Sequence, residues 1–255
     1  MDEHTTWLDL LPGYHNLEEY FRQYFGRNWS NTIFPPQEHF SMTHVFLAFF
    51  VGLCLMAVAF SYRRHARSEA ALMPAERLTF FSFVELLLSA LLRFLTEIVG
   101  SEKDARRFFP MGAGIFVFVM FSDLIGLLPG FEPPTAHLQM NLAIALTVFV
   151  ATHYFGIRQQ GWRYLKQFTG DSWLMAPLML VLEVVSHIVR PLSLTVRLLG
   201  NMFADHKVLA IFTLLFPLVI PIPFLFLGLL VSLIQALVFM TLSVIYFSLA
   251  TSQEH

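Results

Sequence analysis

The chain has 255 residues, of which 56% are hydrophobic and 13% are charged, and its mean hydropathy is +0.62. Soluble domains average about 25% charged residues, so this composition indicates an integral membrane protein. A formal net charge of −2 argues against the basic face that nucleic acid requires, and we expect no nucleic acid partner. The only cysteine, Cys54, excludes an internal disulfide, and the ten histidines are too scattered to indicate a metal site.

Residues 1–43 differ from the rest of the chain because they are acidic and aromatic rather than continuously apolar. They lack the positively charged start that a signal peptide or transit peptide carries. We therefore expect a retained, water-exposed segment on the outer side, with a short amphipathic helix at about residues 17–25. Residues 44–255 are interpreted as a single membrane domain.

Five later segments are apolar over the roughly 20 residues that a membrane-crossing helix needs. They lie at about residues 44–62, 109–128, 138–157, 173–216 and 223–250. Their apolar runs are continuous, which favours helices over the alternating strands of a membrane barrel. The predicted fold class is therefore all-α, a polytopic membrane protein with five membrane-crossing helices.

The segment at residues 78–99 has a different character, because Glu85, Arg93 and Glu97 interrupt its apolar residues. Charges spread along an otherwise apolar helix are typical of an amphipathic helix that lies at the membrane surface. Hydropathy alone also allows this segment to be a sixth crossing.

The distribution of positive charge predicts the topology. Lys and Arg are concentrated in three predicted loops, residues 63–77, 101–107 and 158–166, whereas residues 129–137 and 217–223 contain neither. The positive-inside rule places the basic loops in the cytoplasm. With five crossings, the N-terminus is then outside and the C-terminus is cytoplasmic.

The last two apolar segments are too long for upright helices. Residues 173–216 would extend about 66 Å at 1.5 Å per residue, against a hydrocarbon core of about 30 Å, which implies a tilt of roughly 60°. Pro191 lacks a backbone donor and is a candidate position for a bend. We predict a steeply tilted hairpin at about residues 173–250.

A polar stripe runs along the first helix of this hairpin. At 100° per residue its members fall within an arc of roughly 80°. They are Glu183, His187, Arg190, Arg197, Asn201 and Asp205. One interpretation is a polar seam between helices. However, the acidic and arginine residues are seven or eight positions apart, so they do not pair within the helix.

Arg197 is the most demanding member of the stripe because its guanidinium does not lose its proton at accessible pH. A charge near the bilayer centre costs about 2.5 to 3.5 kcal/mol and persists where it faces protein or a water-filled path. Its natural complement is a carboxylate, and no neighbouring apolar segment offers an obvious one.

Four stretches of the sequence together resemble subunit a of the F-type ATP synthase. They are "RPLSLTVRLLGNMFADH" from Arg190, "LIQALVFMTLSVIYFSLA" from Leu233, "FSDLIGLLPG" from Phe121 and "PPTAHLQMNLAIAL" from Pro133. The resemblance spans most of the chain, and the tilted hairpin of that family agrees with the length argument.

This resemblance implies proton transfer through two offset half-channels to carboxylates on a rotating c-ring. Arg197 matches the family's essential arginine, which attracts the deprotonated carboxylate and blocks leakage. The cytoplasmic half-channel is implied for Glu183, Ser186, Arg190 and Ser193. The outer half-channel is implied for Asn201, Asp205, His206, Gln235 and Asp123.

The resemblance also has a departure and further implications. Gly228 stands where relatives often carry a His or Glu, so Asp205 is a candidate substitute for that group. The implied partners are the c-ring, the peripheral stalk subunit b and the lipid bilayer. The long polar N-terminal segment and the lack of a transit peptide favour a bacterial cell inner membrane over an organelle. We expect no cofactor and no catalytic centre in this chain, since it has no phosphate-binding glycine loop or nucleophile elbow.

Several alternatives stay open from the sequence. The chain could be a self-contained ion-coupled transporter, although it shows no internal repeat, or a structural membrane anchor. Asp123 could cap a helix, and Gln235 could join the two long helices by hydrogen bonds, with Arg197 as a candidate partner. His137 and His153 are interpreted as interfacial, and Tyr246 as a core residue.

Overall fold

The computed structural model describes residues 43–66, 79–128, 131, 133–161, 164, 176–215 and 221–251. These residues form six α-helices, a 3₁₀ turn at Pro134–Ala136 and no strand. The helices are α1 (Thr43–Ala66), α2 (Phe80–Val99), α3 (Glu102–Ile125), α4 (Leu138–Gln160), α5 (Ala176–Leu215) and α6 (Pro221–Thr251). The predicted all-α fold class is confirmed.

Five of the described helices, all except α2, are long and apolar enough to cross a membrane. This confirms the five predicted crossings. Residues 1–42, including the predicted helix at residues 17–25, lie outside the described part, so the domain division at residue 43 stays a prediction.

Helix α2 corresponds to the predicted amphipathic segment. Its apolar residues are concentrated on one face, from which Leu91 and Leu95 enter the core. The helix ends at Gly100, whose φ of 73° is readily adopted only by glycine, and the Gly100 N–H donates to the Thr96 carbonyl. Its location at the membrane surface stays a prediction.

The predicted loop at residues 101–107 is wrong, because α3 already begins at Glu102. The Ser101 hydroxyl accepts a hydrogen bond from the Asp104 N–H, and two acids occupy the first turn, where the helix dipole favours them. Glu102 also pairs with Arg106 one turn later, at 2.8 Å. The helix therefore starts in a charged capping sequence, before the apolar segment begins.

Helix α5 is continuous over 40 residues and includes Pro191. Its length is about 60 Å at the standard rise. The structure therefore does not break the helix at Pro191. The Pro191 carbonyl oxygen accepts a hydrogen bond from Thr195 Oγ1 at 2.8 Å. Helix α5 contacts α6, as predicted for a hairpin, and its tilt in the bilayer stays a prediction.

The core lies where α3, α4, α5 and α6 meet, and the contact between α3 and α6 is the most extensive. Phe108, Phe155 and Phe247 form a three-ring cluster from α3, α4 and α6, with centroids 5.2 to 5.8 Å apart. Gly112 permits the close approach of α3 and α6, since a Cβ there would lie 2.9 Å from Val244 Cγ2. This packing fixes the helices against which the polar stripe of α5 lies.

Candidate functional site

Arg197 lies on an exposed part of α5. Among the described residues, no carboxylate lies within ion-pair distance of its guanidinium. The exposed residues one or two turns away on the face of Arg197 are small, namely Ser193, Gly200 and Ala204. Nothing lies within 4 Å of a Cβ built on Gly200. The charge is therefore presented on a surface that another helix can approach closely.

Asn201 follows Arg197 by one turn and points across to α6. Its Nδ2 donates a hydrogen bond to Gln235 Oε1 at 2.7 Å. Gln235 is buried, and its Nε2 has no hydrogen-bond partner in the described part of the chain. The interpretation that Gln235 joins the two long helices is confirmed, but its partner is Asn201 rather than Arg197.

A cavity of about 110 Å³ lies beyond this hydrogen bond, between the ends of α3, α5 and α6. Asp123 and Asp205 both line it, together with Gly228 and Ser232. The structure thus brings together the two acids that the resemblance assigned to the outer half-channel. We call this the carboxylate cavity. His206 follows Asp205 on α5, but its side chain lies outside the described part of the structure.

Asp123 belongs to a buried polar chain that the sequence did not reveal. Thr135 Oγ1 donates to Asp123 Oδ1 at 2.6 Å, and Asn141 Nδ2 donates to the Thr135 carbonyl at 2.7 Å. All three residues are at most 1% exposed. Asp123 therefore does more than cap α3, because the 3₁₀ turn and α4 hold its carboxylate at the cavity wall.

Gly228 lies against Leu127. A Cβ on Gly228 would lie 2.8 Å from Leu127 Cδ2, so a side chain at this position requires the end of the Leu127 side chain to move. Asp205 faces the same cavity from α5. Asp205 thus supplies a carboxylate to the cavity, which Gly228 also lines but to which it adds no side chain.

A second polar cluster lies toward the other end of α5. His187 Nδ1 lies 3.6 Å from Glu183 Oε1 and 2.9 Å from the Glu183 carbonyl oxygen. The spacing of the acidic and arginine residues did not predict this contact. The Arg190 guanidinium stacks 5.2 Å above the Tyr246 ring of α6. Tyr246 therefore contacts a stripe residue, in addition to packing in the core.

The other residues predicted for the cytoplasmic half-channel also lie on α5. Ser186 and Arg190 are partly buried, whereas Ser193 is exposed. Tyr164, which follows α4, is buried with its ring against Gly156. Burial raises the pKa of Tyr164, although the nearby Arg190 charge acts in the opposite direction. This phenol is therefore neutral at physiological pH.

A small cavity of about 10 Å³ lies between α4, α5 and α6 at this cluster. Its walls include His153, His187, Arg190 and Tyr246. We call it the histidine cavity. No sequence pattern connects His153 with His187, because they are 34 positions apart on different helices. His137 lies elsewhere, at the start of α4, where its ring stacks on His44 at 4.3 Å.

Comparisons with known proteins agree with this arrangement. The ATP synthase A chain family matches residues 28–248. ATP synthase subunit a 1 of Syntrophotalea carbinolica is 41% identical over 219 residues, which cover 86% of this chain and 90% of the relative. ATP synthase subunit a of Trichlorobacter lovleyi is 44% identical over 174 residues, covering 68% and 75%.

A further relative matches nearly the full length. ATP synthase subunit a of Sorangium cellulosum is 34% identical over 259 residues, covering 99% of this chain and 98% of the relative. With the five apolar helices, these matches identify a multi-pass membrane protein. The chain therefore belongs to the ATP synthase A chain family, subunit a of the F0 sector of the F-type ATP synthase.

Proposed function

We propose that this chain is the proton-conducting stator subunit, which loads and unloads c-ring carboxylates through two offset half-channels. The observation that carries the proposal is the position of Arg197. It is exposed, it has no carboxylate partner among the described residues, and along α5 it lies between the histidine cavity and the carboxylate cavity.

The separation of the two cavities supports two half-channels that are offset from each other. They have no lining residue in common. Along α5, Asp205 follows Arg197 by eight residues, or about 12 Å, and Glu183 precedes it by fourteen, or about 21 Å. A proton moving from one cavity to the other must therefore pass Arg197, whose fixed charge opposes it. Direct leakage would waste about 2.3 kcal/mol per charge per 100 mV.

The resemblance, together with the positions of the residues, supports the following roles. Asp123 and Asp205, which line the carboxylate cavity, form the outer half-channel with Asn201 and Gln235, and the resemblance assigns His206 to the same half-channel. Glu183, Ser186, Arg190 and Ser193 form the cytoplasmic half-channel. A c-ring carboxylate, deprotonated at one side and reprotonated at the other, supplies the counter-charge that Arg197 lacks within the described part of its own chain.

The surroundings of Arg197 suit a rotor helix. The small side chains of Ser193 and Ala204, with Gly200, leave room for a second backbone to approach. Because the rotor must pass and not remain bound, a permanent ion pair would be unsuitable. A c-ring carboxylate that is attracted by Arg197 and then leaves gives the arginine a counter-charge without holding the rotor in place.

The proposal also includes the assembly and its orientation. The partners are the c-ring, the peripheral stalk subunit b and the lipid bilayer of a bacterial inner membrane. The N-terminus is outside and the C-terminus is cytoplasmic, as the basic loops indicate. The hairpin of α5 and α6 is steeply tilted beside the rotor. The chain contributes transport, and ATP chemistry belongs to other subunits.

The test replaces Arg197 in the whole synthase. Arg197→Ala is expected to abolish proton-driven ATP synthesis while the complex still assembles. Arg197→Lys should also fail substantially, because an ammonium lacks the planar fork of guanidinium. Lys207→Ala, which removes another exposed cation from α5, is the matched control and should retain synthesis. Normal synthesis in the Arg197→Ala enzyme would reject the proposal and favour a structural anchor.

A second measurement addresses the transporter alternative. The purified chain, reconstituted alone into liposomes, should not accumulate a solute against a gradient. Co-purification with a ring of small two-helix subunits that carry a mid-membrane carboxylate is the expected result. Solute accumulation by the chain alone would favour the transporter.

A further inference from the structure

We propose that His153 and His187 form a proton relay between two helices, which continues the Glu183 path into the histidine cavity. This inference rests on the proposed function and extends its cytoplasmic half-channel. His187 is 8% exposed, and its ring centroid lies 5.3 Å from that of His153. The two rings lie at 65° to each other and both line the cavity.

The hydrogen bonds determine which nitrogen of each ring carries the proton. His153 Nδ1 lies 2.9 Å from the Phe149 carbonyl oxygen, and His187 Nδ1 lies 2.9 Å from the Glu183 carbonyl oxygen. A carbonyl oxygen only accepts, so Nδ1 is the donor in both rings. Nε2 is then the basic nitrogen of each neutral imidazole. Both histidines are thus present in the tautomer that can bind a further proton at Nε2.

The same geometry gives His187 an outlet toward Glu183. When His187 takes up a proton at Nε2, its Nδ1–H can turn from the Glu183 carbonyl oxygen to the Glu183 carboxylate, 3.6 Å away, and transfer its proton once the two groups approach to hydrogen-bond distance. This step breaks one N–H bond and forms one O–H bond, leaving His187 neutral and Glu183 protonated. The reverse sequence carries a proton from Glu183 toward His153. Only protons move, so no other reactant is needed.

The surroundings support transfer between the rings. The cavity between the rings has a volume of about 10 Å³ and an almost entirely apolar accessible lining, so the two imidazoles themselves, rather than a bound water, exchange the proton. The charged and titratable groups that face the pair are Glu183 and Arg190 on α5, Tyr246 on α6 and Tyr164 after α4. Glu183 provides a carboxylate that can exchange protons with His187, and Arg190 provides a fixed positive charge.

His153 extends the path beyond α5. Its ring centroid lies 5.8 Å from that of Tyr164, which follows the C-terminal end of α4. This end of α4 belongs to the basic, predicted cytoplasmic loop. The pair therefore connects Glu183 on α5 with α4, whose C-terminal end lies on the side on which the cytoplasmic half-channel should open.

The test uses a conservative substitution that separates proton carriage from structure. The Nδ2 of asparagine takes the position of imidazole Nδ1, so His187→Asn can keep the hydrogen bond to the Glu183 carbonyl but cannot bind and release a proton. His187→Phe fills the space and loses both functions. The same reasoning applies to His153→Asn. Proton pumping by the complete synthase is measured in proteoliposomes, with subunit stoichiometry and thermal stability measured in parallel.

In a relay, His187→Asn, His187→Phe and His153→Asn each lower the pumping rate about tenfold or more, and the complexes remain assembled. The double Asn variant is no slower than the slower single variant, because both residues serve one path. His137→Asn is the control, since asparagine is a favourable N-cap residue at the other end of α4 and this variant should pump normally.

Two results would overturn the relay. Wild-type pumping by the Asn variants would show that the histidines only support the helices, and multiplied losses in the double variant would show independent roles. If the Phe variant fails to assemble, the Asn variants alone decide. The proposed function is judged separately. Should the relay fail while Arg197→Ala still abolishes synthesis, only the relay is rejected.

Discussion

Asn201 Nδ2 donates to Gln235 Oε1 across 2.7 Å, one helical turn from Arg197. This hydrogen bond joins the two long helices at the level where the carboxylate cavity begins. It leaves the Gln235 Nε2 donor buried without a partner in the described residues. The pair thus fixes the separation of α5 and α6 beside the exposed guanidinium.

We expect removal of one member of this pair to cost more stability than removal of both. Asn201→Leu leaves a buried amide oxygen unsatisfied and should destabilise by about 1–3 kcal/mol, whereas Asn201→Leu with Gln235→Leu should be nearly neutral. Thermal unfolding of the purified complex measures both. Ser193→Ala, at an exposed position of α5, is the control. Additive losses in the double variant would contradict the pairing.

We expect that the carboxylate of Asp205 on α5 can be replaced by one at position 228 on α6. Asp205→Asn should lower proton conduction about tenfold or more. Adding Gly228→Glu alone should not restore conduction, because Leu127 occupies the space. Adding Leu127→Ala as well makes room, and conduction should recover in part. Proton flux in proteoliposomes measures each variant. Equal flux in the wild type and the Asp205→Asn variant would remove Asp205 from the path.

Glu183 should control the rate of conduction rather than assembly. Glu183→Gln keeps the size of the side chain but removes the proton-accepting charge, so we expect slower conduction with normal subunit stoichiometry. Glu97→Gln, on the exposed part of α2, serves as the control and should conduct normally. Conduction is measured with a pH-sensitive dye. An unchanged rate would place the cytoplasmic path elsewhere.

Two glycines of α3 allow a direct comparison of packing. Gly112→Leu must displace Val244, Leu95 or Met240, and should destabilise by about 1–3 kcal/mol. Gly114 has nothing within 4 Å of its Cβ position, so Gly114→Leu should be neutral or slightly stabilising. Thermal unfolding compares the two variants. Combining Gly112→Leu with Val244→Ala should recover part of the loss. An equal effect at both positions would contradict the proposed α3–α6 contact.

The ends of the helices were less predictable from sequence than their existence. Hydropathy located the apolar part of α3 but placed residues 101–107 in a loop. The helix begins earlier because Ser101 caps it and Glu102 pairs with Arg106. The apolar content of a segment indicates which residues lie in the lipid, whereas capping hydrogen bonds decide where the helix starts.

The site was predictable in part for a similar reason. The stripe on α5 follows from helical periodicity, so Arg197 and Asp205 could be placed on one helix and related to each other. The shared cavity of Asp123 and Asp205 could not, because it depends on how α3 and α5 pack. Thr135 and Asn141 were within a recognised stretch, but only their hydrogen bonds assign them a role.

The sequence by itself determined an all-α membrane protein, its five apolar helices and its family, since these depend on composition, periodicity and local motifs. Only the tertiary structure decided that Asn201 bonds to Gln235, that Leu127 fills the space beside Gly228, and that His153 meets His187. Each of these contacts joins different structural elements, and their relative positions are set by side-chain packing that no single segment encodes.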